Sequence, residues 1–347
     1  MKAIVVNADG RVQVKEIDRP DVKSHQALVA TIAGGICGTD ATLLQCSFKG
    51  VGPASYPLVL GHESVGRVID VGEDVISYKR GDIVLLPFVP QPSADGQNLG
   101  SAWGAFSEFT LVDDAAAFAT GKIAGLAPEA AFAQSIVPAS IDPVDATVII
   151  TLREVLSGIR VSGIDLGQPI IIYGSGPVAM AFTALLRQLC AEQLIAVVRS
   201  DEKAELMRRF GASSTINSCA QSVQDGLRDL EVSGVGAVID AVGSASVINE
   251  GIPLLQDRGI MFCYGVPKTH SMDLEWSEAP YNWTLKFQQF PRKDEEGECH
   301  QQIVDWAECG DIVLSKFISE IVPVDDSPEL FERYLAGRTS GKIVLKF

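Results

Sequence analysis

One short segment restricts the fold of this chain more than any other. Pro169 to Tyr173 is an apolar run that leads directly into Gly174-Ser175-Gly176-Pro177-Val178-Ala179, and a stretch rich in Ala, Leu and Met follows to about Cys190. An apolar strand, a Gly-x-Gly-x-x-Ala turn and a helix, in that order, make a cradle for a dinucleotide. The glycines permit a tight turn and close approach of the backbone to a pyrophosphate. The helix N-terminus then offers free N–H groups and the positive end of its dipole to the anion.

The surroundings fit that reading. Leu194 to Val198 is a second apolar strand, Asp201 to Phe210 a charged helix, and Ala237 to Asp240 and Gly259 to Tyr264 two further strands. Strands that are apolar throughout and alternate with helices predict a parallel sheet buried on both faces. Upstream the pattern differs. The first 115 or so residues carry short Val/Ile runs between Gly, Asp and Pro, such as Leu28 to Ile32, Ser64 to Val71 and Asp82 to Leu86, and read as β-rich. Residues 90–102 read as an exposed loop. Asp142-Pro143 starts a helix that runs to about Arg160. The last fifty residues return to a helix, a strand and a closing strand, Lys342 to Phe347, while the charged run Arg292 to Glu298 reads as a solvated loop. Two domains are therefore expected: 1–143 with 294–347, and 144–293.

The end of the second apolar strand bears on cofactor choice. An acidic residue there selects NAD through the ribose 2′-hydroxyl. This chain has Val198-Arg199-Ser200 instead. Valine removes repulsion against a 2′-phosphate and arginine can pair with it, so NADP(H) is favoured over NAD(H). Asp201, a few residues late, is the competing candidate. Val242 and Gly265 complete the candidate cofactor residues.

Two clusters in the β-rich part carry chemistry: Cys37-Gly38-Thr39-Asp40 and Gly61-His62-Glu63. Thiolate, imidazole and carboxylate are zinc ligands, and a catalytic zinc keeps one position open. Such an ion polarises an alcohol oxygen. Thr39 is placed to pass a proton outward, and Asp40 to fix the His62 tautomer. By spacing alone, one Cys and one His are more often packed core residues than metal ligands.

Composition excludes several classes of function. A net charge of -16 repels nucleic acid and anionic membrane surfaces, and no apolar stretch is long enough to span a bilayer. Seven scattered cysteines predict reduced thiols and a cytoplasmic location. Cys190, Cys219 and Cys263 read as small packing residues, Cys299-His300 and Cys309 as too few ligands for a second metal, and His25 and His270 as loop residues. The Ala-rich stretch from Ala115 to Ser135 has no functional reading.

The blocks Cys37-Gly-Thr-Asp40, Tyr56 to Val68 with Gly61-His62-Glu63 at its centre, and Gly81-Asp82-Ile83-Val84, followed by the glycine turn, resemble the zinc-dependent medium-chain dehydrogenases. The resemblance implies an α/β chain with a GroES-like β-rich catalytic domain, closed by the C-terminal segment, and a Rossmann doubly wound domain. It implies Cys37 and His62 as zinc ligands, Glu63 as an outer or alternate ligand, and Thr39 at the head of a proton relay. Trp103, Cys46 and Phe48 fall where similar enzymes line the substrate pocket. Two departures stand out. No cysteine occurs between residues 85 and 105, where relatives hold a structural zinc, so one catalytic ion is expected. The usual third ligand falls on Ile149 or Ile150, which cannot bind zinc, and Glu63 or Glu154 is the candidate replacement. The implied reaction is hydride exchange between a nicotinamide and a secondary alcohol or ketone, with a polyol or sugar as substrate. The resemblance also implies a homodimer or homotetramer. The missing ligand keeps two alternatives open: a zinc-independent NADPH reductase of enones or carbonyls, and a non-catalytic NADP(H)-binding protein.

Overall fold

The computed structural model describes residues 1–347 other than Lys268, His270, Thr339 and Ser340, so His270 lies outside the described residues. The chain divides into two compact units, one of Met1–Arg153 with Arg292–Phe347, the other Glu154–Pro291. The division falls within the helix Thr147–Ser162, three turns into the segment that the sequence assigns from Asp142 onward. Asp142 and Pro143 form a turn ahead of it, in which the Asp142 carboxylate accepts from the Val144 N–H at 2.8 Å.

The first unit is built round the long strand Gln26–Ile36. It pairs antiparallel with Ser64–Val71, with Phe109–Asp113 and with the closing strand Lys342–Lys346. The C-terminus is thereby stitched into the centre of the sheet. One core gathers Ile4, Ile36, Leu43, Leu60, Phe106, Phe331 and Leu345, so N-terminal, middle and C-terminal segments share it. Residues 90–102 are not the free loop the sequence suggests. Ser93–Ala94 and Gln97–Asn98 form a small hairpin, and Gly100–Ser101 pairs with Leu58–Val59. The Ala-rich stretch is a packing element. It holds the helix Ala115–Ala119, and Gln134 at its end bridges the Asp113 N–H and the Leu86 carbonyl. His25 lies edge-on to Phe118 of that helix, 3.6 Å from the Asp113 carboxylate.

The charged run near residue 292 is also reassigned. Lys293–Glu298 is a helix, and Glu296 in it is wholly buried against Arg153 at 3.0 Å. His300 beside them donates from Nε2 to the Ile136 carbonyl at 2.9 Å. Cys299 and His300 are thus part of a packed junction.

In the second unit, six parallel strands among the described residues follow the order Ser214–Asn217, Leu194–Val198, Ile170–Tyr173, Val235–Asp240, Leu255–Cys263, Trp283–Phe287. The chain direction across the sheet reverses at Ile170–Tyr173, the topological switch point at which doubly wound sheets bind their ligands. Ile170, Ile171 and Ile172 are fully buried, as a central strand covered on both faces requires. Cys263 is buried there, but Cys190 and Cys219 are exposed, contrary to their reading as packing residues. Each sits in a polar connection after its helix or strand, where no core faces it.

Candidate functional site

Cys37 directly follows the long strand and caps the helix Gly38–Leu44. Its Sγ accepts from the Thr39 N–H at 3.2 Å, and its own N–H donates to Asp40 Oδ2 at 2.9 Å. The pair forms a reciprocal capping box in which cysteine takes the place usual for Ser or Thr. This fixes the thiol and the carboxylate on one turn. Asp40 Oδ1 remains buried and has no hydrogen-bond partner among the described residues.

His62 reaches the same point from a different direction. Gly61 before it has φ +102, and a Cβ there would lie 2.4 Å from the Phe106 ring, so only glycine lets the chain pass. The turn brings His62 Nε2 to 3.1 Å from Cys37 Sγ. Donor atoms of Cys37, Asp40 and His62 all lie within 4.8 Å of one another, the one cluster of metal-binding type among the described residues. Thr39 is buried in the same turn. Trp103 packs against His62 with ring centroids 4.9 Å apart, and Phe48 stands edge-on to Trp103 at 6.1 Å. Cys46 points away, to the Ala8 carbonyl at 3.2 Å.

Glu63 does not join this cluster. Its Oε2 pairs with the Lys342 ammonium, and its Oε1 accepts from Thr151 at 3.4 Å. Ile149 and Ile150 are fully buried, and Glu154 is half-buried farther along the helix. The carboxylate that lies with the Cys37 and His62 donor atoms is thus that of Asp40, while Glu63 is engaged by Lys342 and Thr151. Sequence reasoning missed Lys342 and Thr151. A lysine opening an otherwise apolar closing strand, Lys342-Ile343-Val344-Leu345, is the signal for the first.

Burial dominates the electrostatics. It pushes the Cys37 thiol up to about 12, with the Asp40 charge adding to the effect and Lys342 opposing it. It also raises Asp40, against the pull of His62 and the Cys37 N–H. Lys342 is brought down to about 8 by burial, against the attraction of Cys37 and Asp40. A thiol and a carboxylate held together out of water, with one oxygen unsatisfied, form a site that a cation would complete. The donor set of sulfur, imidazole nitrogen and carboxylate oxygen suits zinc.

In the second unit, Gly174 has φ +117 and Gly176 caps the helix Pro177–Gln188 with no side-chain cap of its own. Pro177 occupies the first helical turn, where its missing N–H costs nothing. A Cβ on Gly176 would meet nothing within 4 Å, so the space before the helix N-terminus is open. Ser175 and Val178 flank this turn, and Ala179 packs beneath Gly174. Val242 is 52% exposed over the turn. The loop that carries it is held by Asp240, whose carboxylate accepts from the Val242, Gly243 and Ser244 N–H groups at 2.8, 2.9 and 3.2 Å. Gly265 serves close packing, since a Cβ there would lie 2.2 Å from the Gly243 nitrogen. At the second strand's end Val198 is buried, Arg199 is exposed, and Ser200 caps the next helix by accepting from the Lys203 N–H. Asp201 is engaged by the Asn217 side chain at 2.8 Å.

Comparison with known proteins bears on both units. Residues 23–122 match the family described as alcohol dehydrogenase GroES-like domain, and residues 177–287 match the zinc-binding dehydrogenase family. Sorbitol dehydrogenase 2 of Saccharomyces cerevisiae is 29% identical over 284 residues, covering 78% of this chain and 77% of that protein. An alcohol dehydrogenase of Geobacillus stearothermophilus is 26% identical over 100% of this chain and 99% of its own length. A Sinorhizobium meliloti structure solved bound to NADP superposes with a TM-score of 0.79 at 22% identity, covering 100% of this chain and 99% of that one.

Proposed function

Given that this chain belongs to the zinc-type medium-chain dehydrogenase/reductase family, as a nicotinamide-dependent alcohol dehydrogenase, we propose that it interconverts a secondary alcohol of polyol or sugar type and the corresponding ketone, with NADP(H) as the preferred cofactor and one catalytic zinc. The observation that carries the metal part is the convergence of Cys37, His62 and Asp40 within 4.8 Å, with a buried Asp40 oxygen lacking a partner. Those three side chains would hold the ion. Zinc bound there supplies Lewis-acid polarisation of the substrate oxygen. The nicotinamide, when bound, is the hydride acceptor or donor.

The chain's own residues do the rest. Cys37 and Asp40 are fixed by the capping box, so their donor atoms are oriented before any ligand arrives. The Thr39 hydroxyl, in the same buried turn, takes the proton released by the alcohol and passes it outward. Trp103 shields the His62 side of the pocket from water and offers an apolar wall to the substrate's carbon chain. The open helix N-terminus after Gly176 receives the pyrophosphate. Arg199 pairs with a 2′-phosphate, while Asp201, the group that would favour NAD, is occupied by Asn217. Atoms balance as alcohol plus NADP⁺ giving ketone, NADPH and one proton. The polyol class is supported by the likeness to sorbitol dehydrogenase 2.

The deciding measurement is elemental analysis joined to a substrate screen. The purified protein should hold about one zinc per chain, lose it in Cys37→Ala, and reduce NADP⁺ with polyols. Wild-type protein free of zinc that still reduces carbonyls would hand the case to the metal-independent reading, which the buried Ile149 and Ile150 favour.

A further inference from the structure

Asp240 ends the strand Val235–Asp240 at 1% exposure, and both of its polar ends are committed to backbone. Its carboxylate accepts from the Val242, Gly243 and Ser244 N–H groups and so fixes the loop after its own strand. Its carbonyl accepts from the Tyr264 and Gly265 N–H groups at 3.1 and 2.8 Å and so fixes the loop after the neighbouring strand, Leu255–Cys263. The two loops interlock. Gly243 has φ +79, and a Cβ on it would lie 2.4 Å from the Val266 carbonyl oxygen. A Cβ on Gly265 would lie 2.2 Å from the Gly243 nitrogen, so a side chain at either position would force the loops apart. The next strand, Trp283–Phe287, is tied in behind them. The Gln288 N–H donates to the Cys263 carbonyl at 3.0 Å, and the Gln289 side-chain amide donates to the Gly265 carbonyl at 3.2 Å.

The order of the sheet decides which part of a ligand this rim meets. The glycine turn follows Ile170–Tyr173. Arg199 follows Leu194–Val198 on one side of that strand, whereas Val242 and Gly265 follow the strands on its other side. A dinucleotide with its pyrophosphate at the Gly176 helix and its 2′-phosphate at Arg199 must extend its remaining half toward Val242 and Gly265. We infer that Asp240 is the positioning residue for the nicotinamide half of the cofactor, because it holds the two interlocked loops against which that half lies. The inference rests on the cofactor reading above. The two halves are served by separate devices. The Ser200 helix cap sets the chain beside Arg199, and Asp240 sets the opposite rim. Neither set of hydrogen bonds passes through the other.

Two probes separate these devices: NADPH, and adenosine 2′,5′-bisphosphate, which lacks the nicotinamide half. In Asp240→Asn the side-chain oxygen can keep the Val242 and Gly243 bonds, but the new NH2 group faces the Ser244 N–H donor to donor. This variant should weaken NADPH binding by about tenfold, the loss expected for one hydrogen bond to a charged group, and leave the bisphosphate Kd within about twofold of wild type. Gln289→Leu cuts only the tie on Gly265 and should show the same asymmetry at about threefold, roughly one neutral hydrogen bond. Asp240→Asn decides the matter where it folds, and Gln289→Leu where it does not. Equal weakening of both probes in the deciding variant would make the residue a general prop of the sheet and overturn the inference, as would an unchanged NADPH affinity. Wild-type protein that binds neither probe would overturn the cofactor reading and the inference with it.

Discussion

One substitution separates the cap that Asp40 makes from the metal role proposed for it. Its Oδ2 closes the helix cap on the Cys37 N–H, its Oδ1 is buried without a hydrogen-bond partner among the described residues, and its carboxylate lies within 4.8 Å of the Cys37 and His62 donor atoms. Asparagine can keep the cap through its carbonyl oxygen but presents no charge to a metal. Asp40→Asn should therefore unfold within about 1 kcal/mol of wild type, while chelator competition should show zinc affinity reduced by at least 10–100-fold, roughly the loss expected even for groups that only support a ligand. Retained affinity would mean that Asp40 is only a cap. A second residue-level test concerns Arg199. A charge-assisted hydrogen bond contributes about 1.5–3 kcal/mol, so Arg199→Ala should raise the KM for NADP⁺ by roughly 10–100-fold and leave that for NAD⁺ nearly unchanged. Equal effects on both cofactors would remove the 2′-phosphate role. Cys37 and His62 were legible in the sequence because local motifs contain them, and Asp40 was legible there as a neighbour of His62. That Glu63 is paired was not, because its partner Lys342 lies 279 residues away along the chain.

The helix Lys293–Glu298 shows the same limit at the level of elements. Seven largely charged residues read as a solvated loop because nothing local reveals that Glu296 meets a buried arginine 143 residues away. Breaking a buried pair strands its partner at about 3–5 kcal/mol, so Glu296→Ala should lower the unfolding free energy by about that amount in urea titrations, against an exposed control such as Glu192→Ala. His300 in the same junction gives a pH signature. Burial, assisted by the Arg153 charge, lowers it from 6.5 to about 4. The unfolded chain then binds the proton first, so this contribution is complete above about pH 6.5 and is lost as pH falls toward 4. His300→Gln should flatten the acid side of the stability profile, by about 1–3 kcal/mol over that window, and an unchanged slope would refute the assignment. The central strands of the parallel sheet were legible because full burial makes them apolar at every position. Ser214–Asn217 and Trp283–Phe287 were missed because each lies at a sheet edge and carries polar or exposed residues.

At the scale of the whole molecule, the Cys37, Asp40 and His62 cluster and the glycine turn belong to different compact units, each with its own core. The donors Cys37, Asp40 and His62 depend on a sheet closed by the C-terminal strand, whereas Gly174, Gly176 and Val242 depend on the parallel sheet and its Asp240-braced loop. Losing the ion should therefore cost chemistry without costing the cofactor. Protein stripped by a chelator should lose polyol oxidation, regain it on addition of zinc, and bind NADPH with a Kd within about threefold of the metal-loaded form, read from nicotinamide fluorescence. Cofactor at about 100 times its Kd should add about 2.7 kcal/mol to the stability of the fold it binds, and that increment should be the same with and without metal. An NADPH affinity that collapsed along with the zinc would show that the ion organises the dinucleotide site as well. The two units would then act as a single thermodynamic body, and the division of labour drawn from their separate cores would fall.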